Sequence, residues 1–110
     1  MRAPILVRPE ALRDIEETRD WLAGHSESAA MRFLDAFESA ANRIACGPAV
    51  YAVAFREQEG NFIVRNFLFH INRRRPFSIY YTLHNDEVQI LRVRGAGQAT
   101  LTWQDFDVDP

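Results

Sequence analysis

Phe77-Ser78-Ile79-Tyr80-Tyr81-Thr82-Leu83, then His84-Asn85-Asp86, then Glu87-Val88-Gln89-Ile90-Leu91-Arg92-Val93-Arg94 is the stretch that decides the fold. Both outer runs are rich in β-branched and aromatic residues, and Asn85-Asp86 between them is turn chemistry. In the second run Val88 and Ile90 flank Gln89, the two-residue period of a half-buried strand. The pattern predicts two antiparallel strands joined by a tight turn. Upstream, Phe62 to Ile71 is another such run, with Arg65 and Asn66 between its apolar residues. The charged link Asn72-Arg73-Arg74-Arg75 joins it to the next strand, which completes a three-stranded meander. Gly95-Ala96-Gly97 ends the meander. Before it, Gly60-Asn61 reads as a turn and Val50 to Phe55 as a loop or weak strand.

Nearer the N-terminus the period changes. Ile5, Leu6 and Val7 form a short apolar run, a short first strand that stops before Pro9. Proline suits the first turn of a helix, where its missing N–H is not needed. Glu10 and Asp14 then sit near the positive end of the helix dipole. Ala11, Leu12, Ile15, Thr18 and Leu22 recur at helical spacing and define one apolar face, with Gly24 as the C′ residue. Ser26 or Ser28 caps a second helix, with Glu27 in its first turn. Ala30, Phe33, Leu34, Phe37, Ala41 and Ile44 trace its apolar stripe, and Gly47-Pro48 closes it. Two helices of roughly 15 and 20 residues with a tight link form an antiparallel pair.

The expected fold class is therefore α+β: an N-terminal antiparallel helical hairpin packed on a twisted, mainly antiparallel sheet of three to five strands. The 110 residues are one domain's worth, expected over residues 1–96, with an acidic tail over 97–110. A single cysteine, Cys46, excludes an intramolecular disulfide and a thiolate zinc site, and its place at a helix end predicts a buried, inert thiol. No pair of histidines has ligand spacing, so no metal or cofactor is expected. No apolar run approaches the ~20 residues of a membrane span, and the start is too short for a signal peptide, so the expected location is the cytoplasm.

Net charge is −2, but its distribution is uneven. All 13 basic residues are arginine. Residues 61–94 hold six arginines against Asp86 and Glu87, a local +4, whereas residues 95–110 hold Asp105, Asp107 and Asp109 and no base. A basic sheet followed by an acidic tail is the one asymmetry that asks for an explanation.

The series Arg74-Arg75-Pro76-Phe77-Ser78-Ile79-Tyr80-Tyr81, an acidic turn, then Val88-Gln89-Ile90-Leu91-Arg92-Val93 resembles the C-terminal half of the RelE/ParE toxin superfamily. Leu6-Val7-Arg8-Pro9-Glu10-Ala11, Asp14-Ile15, Trp21 and the helix with Ala29, Ala30, Arg32 and Phe33 resemble its beginning. The likeness runs over roughly residues 4–96, in order. It implies the toxic half of a bacterial type II toxin–antitoxin pair, neutralised by a small antitoxin that folds around it. The long helical pair resembles the ParE branch, whose members inhibit DNA gyrase. Two alternatives stand beside that: a RelE-like endoribonuclease acting on ribosome-bound messenger RNA, and an inactive module that only binds antitoxin. Gly95-Ala96-Gly97-Gln98 stands where the family often has His-Gly-basic-basic, which weighs against the ribonuclease. Arg75 stands where an aromatic residue is usual. The resemblance allows a homodimer as well as a toxin–antitoxin hetero-oligomer.

Arg65, Arg73, Arg74, Arg75, Arg92 and Arg94 are the candidates for contact with a partner or nucleic acid, because guanidinium groups bind carboxylate and phosphate bidentately. RNA cleavage without metal needs such groups around a pentavalent phosphorane, together with a general acid or base. The catalytic candidates are Arg65, His70, Tyr81 and Arg92. His70, Arg65 and a strand tyrosine would have to meet on one face. The competing roles are a solvated turn for Arg73 to Arg75 and core packing for at least one of Tyr80 and Tyr81, which point to opposite faces. The antitoxin is expected to add a strand to a sheet edge or lie over Ala30, Phe33 and Phe37. Trp21 and Trp103 read as packing residues, with Trp103 and Phe106 laying the tail over the sheet.

Overall fold

The computed structural model describes residues 2–56, 62–74, 76–95, 98, 101 and 106, with the side chains of residues 55 and 56 excepted. The elements run β1 (Ile5–Val7), α1 (Pro9–Ala23), α2 (Glu27–Cys46), β2 (Val53–Arg56), β3 (Ile63–His70), β4 (Pro76–His84) and β5 (Glu87–Gly95). They form one five-stranded sheet in the order β1-β5-β4-β3-β2. β2 through β5 are antiparallel neighbours, and β1 alone lies parallel, against the first residues of β5. The sheet is thus mixed, and the weak run before Phe55 is its edge strand.

Local chemistry sets the boundaries. Pro9 opens α1, and Ser26 caps α2 by accepting from the Ala29 N–H. The β4–β5 hairpin turns on Asn85 and Asp86, both at positive φ (49° and 61°). A two-residue turn with both centres left-handed matches the twist of its flanking strands, and Asn and Asp tolerate that region. Gly24 departs from expectation. It ends α1 in the ordinary right-handed region, φ −64°, so its freedom to adopt positive φ is unused.

The helices cover one face of the sheet. Ala11, Ile15 and Leu22 of α1 and Phe33, Ala41 and Ile44 of α2 meet Phe67, Phe69, Ile79, Tyr81, Ile90 and Val93 in one core. Phe33 is fully buried, with Phe77 at 5.1 Å and Phe69 at 6.1 Å between ring centroids. Burying such a ring contributes about 2–3 kcal/mol, so α2 is held chiefly by its stripe. A smaller apolar cluster occupies the opposite face, where Val64 and Leu91 are covered by Leu101 and Phe106. Phe106 does lie over the sheet as expected, while Trp103 is outside the described residues.

Three expectations about packing fail. Leu12 is half exposed, because only one flank of α1 meets the sheet. Trp21 is 61% exposed, its ring against His25 and not in the core. Cys46 is exposed, at the last position of α2 and off the side on which Ile44 and Ala45 are buried.

Candidate partner-binding surface

The sheet positions three of the six candidate arginines, Arg65, Arg92 and Arg94. Arg65 on β3 lies directly opposite Tyr81 on β4. Arg65 Nη1 donates to the Tyr51 carbonyl at 2.7 Å, and the Tyr81 hydroxyl donates to the Pro48 carbonyl at 2.7 Å. Both side chains therefore tie the α2–β2 connection onto the sheet. Burial pushes the Tyr81 phenol up to about 12, against the pull of the neighbouring Arg65 charge and with a further push from Tyr51. A phenol held neutral in this way is a structural donor at physiological pH.

His70 sits at the far end of β3, opposite Pro76 and exposed. Five residues from Arg65 along an alternating strand, it belongs to the other face. The grouping of His70, Arg65 and a strand tyrosine is therefore not assembled: Arg65 and Tyr81 meet, and His70 is apart.

Arg92 lies opposite Tyr80, at an irregularity in the β4–β5 register. Its guanidinium forms a two-pronged pair with Asp14 of α1, Nε to Oδ2 at 2.7 Å and Nη2 to Oδ1 at 3.0 Å. Asp14 Oδ2 also accepts from the Val93 N–H at 3.0 Å. β1 pairs with β5 only as far as Ile90, so beyond that point the edge of β5 has no strand beside it. Asp14 caps that open edge, and the Gln98 side chain does the same for the Gly95 N–H. The sequence reading assigned Asp14 to the helix dipole and missed this. The partners are 78 residues apart, and only the fold joins them.

Of the candidate arginines, the exposed ones lie at the β3–β4 connection. Arg73 and Arg74 are exposed, and Asn72 shapes the turn by accepting from the Arg74 N–H at 2.9 Å. Arg75 lies outside the described residues. Arg94, opposite Ser78, is half-buried. Between this turn and α1 runs a cleft of about 830 Å³. Glu17 and Trp21 line one wall, Asn72 and Arg74 the other, and Phe77 the floor. An acidic helix wall, a basic turn and an exposed indole make a surface suited to a polypeptide with mixed charge.

The expected antitoxin contact on α2 needs correction. Phe33 is 0% and Ala30 5% exposed, because their stripe is what docks α2 on the sheet. Phe37 alone of the three keeps partial exposure, edge-on to Phe69. A partner helix cannot lie over side chains already beneath α2.

Among the described residues no three His, Cys, Asp or Glu side chains gather as a metal site, and no helix is long and apolar enough to cross a membrane. A helical hairpin on one face of a five-stranded mixed sheet, with arginines used as ties and an exposed basic turn, is consistent with the ParE/RelE fold. Residues 5–100 match the family model described as ParE toxin of type II toxin-antitoxin system, parDE, and the chain belongs to that family. A comparison with the curated proteins found no match. Membership carries an antitoxin partner with it.

Proposed function

We propose that this ParE-family toxin acts in the cytoplasm by binding DNA gyrase and poisoning it without chemistry of its own, and that its antitoxin silences it by covering the basic turn. The family supplies the toxin role and the antitoxin. One observation carries the choice of binding over catalysis: the arginines that an RNA-cleaving site would need are engaged elsewhere. Arg65 holds the Tyr51 carbonyl and Arg92 holds Asp14. His70, a candidate acid or base, belongs to the other face of β3 from Arg65, and the Tyr81 hydroxyl is spent on the Pro48 carbonyl. Arg73 and Arg74 remain at the surface, where charge steers association with an acidic partner.

The test is a supercoiling assay with purified gyrase and purified chain. Inhibition that the antitoxin reverses supports the reading. Uninhibited gyrase, with messenger RNA cut on ribosomes by the same preparation, would replace it with the ribonuclease. Neither effect, from folded protein, leaves a module that only binds antitoxin.

A further inference from the structure

The cleft between α1 and the β3–β4 turn contains a strand end that no strand covers. Beyond Ile90, β5 has no neighbour on its β1 side, and Gly95 at its end lines the cleft. Both main-chain groups of Gly95 are met there by one residue. Its N–H donates to Gln98 Oε1, and its carbonyl accepts from the Gln98 N–H at 3.3 Å. An antiparallel neighbour makes the same exchange of two bonds, so the Gln98 side-chain amide stands in for a main-chain carbonyl. Phe77, opposite Gly95 in the register, is the floor. Unpaired charges of opposite sign flank this point. Glu17 on α1 and Arg74 on the turn are exposed, and among the described residues neither side chain has an ion-pair partner. Trp21, one turn on from Glu17, exposes its indole to the same space. The chain's own tail is not the occupant, because Leu101 and Phe106 pack on the other face of the sheet.

We infer that this cleft takes one extended segment of the antitoxin as an added strand at Gly95. A main-chain carbonyl of the segment replaces Gln98 Oε1. A basic side chain reaches Glu17, an acidic one reaches Arg74, and an apolar one between them covers Phe77 and Trp21. The inference rests on the reading that the antitoxin covers the basic turn, and adds to it the wall across the cleft. Carbonyls inside a helix are bonded within that helix, so only extended backbone offers one to the Gly95 N–H. A uniformly acidic segment would suit Arg74 but be repelled by Glu17, so the two walls together select mixed charge.

The test is calorimetry of the purified antitoxin against the full chain carrying Glu17→Arg, Trp21→Ala or Arg74→Glu, all at exposed positions and shown folded by circular dichroism. Each variant weakens binding by about ten-fold or more. Gln98→Ala removes only the stand-in acceptor and leaves the affinity at the wild-type value or raises it. Hydrogen exchange of the Gly95 amide slows in the complex. Weakening by Arg74→Glu, with Glu17→Arg and Trp21→Ala at wild-type affinity, overturns the cleft while leaving the antitoxin on the basic turn. Wild-type affinity in all three removes it from the turn as well. A Gly95 amide that exchanges equally fast in the free chain and the complex overturns the added strand. If Glu17→Arg and Arg74→Glu split a dimer of the free chain and leave the antitoxin's affinity unchanged, the occupant is a second copy and the proposal fails.

Discussion

Arg92 and Asp14 join the last strand to the first helix by two parallel hydrogen bonds, at 2.7 and 3.0 Å, with side chains only 18% and 10% exposed. The same carboxylate caps the Val93 N–H, so Asp14 accepts from three N–H donors of two residues at once. Removing one partner of a buried pair leaves an uncompensated charge, and Asp14→Ala is expected to cost about 3–4 kcal/mol. Asp14→Asn, which keeps an acceptor for Val93, costs less. Urea titration measures this as a lower midpoint at unchanged slope. A loss under about 1 kcal/mol would show the pair to be incidental.

Tyr81→Phe tests the tie between β4 and the α2–β2 connection. The Pro48 carbonyl loses its donor, which costs about 1–2 kcal/mol at neutral pH. The variant also changes the response to alkali. The Tyr81 phenol ionises at about 12 in the folded chain, against an ordinary 10.0. Between those values the unfolded chain has released a proton that the folded chain keeps. Stability is therefore full below pH 10 and falls as pH rises towards 12, by on the order of 2–3 kcal/mol. Phe at this position removes that share of the decline, which denaturation at several alkaline pH values detects.

Gly95→Ala tests the close approach at the end of β5. An added Cβ meets Phe77 Cε1 at 3.1 Å, and that ring is stacked on Phe69 at 5.5 Å. The rings must shift together, at about 1–2 kcal/mol. Thermal melts should show a lower midpoint with an unchanged far-ultraviolet spectrum. A wild-type midpoint would mean that Phe77 yields freely.

Replacing Arg73, Arg74 and Arg75 together by alanine should leave stability within about 0.5 kcal/mol, because Arg73 and Arg74 are exposed. The antitoxin complex should weaken and lose part of its salt dependence. Calorimetry at two salt concentrations separates the effects. Unchanged affinity and salt dependence would move the antitoxin elsewhere.

Much of this was legible in the residues. Pro9, Ser26 and Asn85-Asp86 carry their own local instructions, and the α2 stripe of Phe33, Ala41 and Ile44 states its period. The resemblance in Arg74 to Val93 led to the family that residues 5–100 match. What was not legible depends on register. Arg65 looked like a phosphate ligand until its position opposite Tyr81 put the Tyr51 carbonyl within reach. Arg92 looked like surface until the parallel strand β1 stopped at Ile90 and left Asp14 to cap the edge beyond it. The apolar stripe of α2 looked available to a partner helix because periodicity marks a sticky face without saying what already covers it. Trp21 and Cys46 failed for the converse reason: residue type favours burial, but their positions on α1 and α2 lie off the covered face.

The most direct test of the toxin assignment is inducible expression in a sensitive bacterium, with and without the small open reading frame beside the gene. The account predicts growth arrest with DNA-damage signalling, relieved when the neighbour is co-expressed. Normal growth, with the protein folded and abundant, would contradict it.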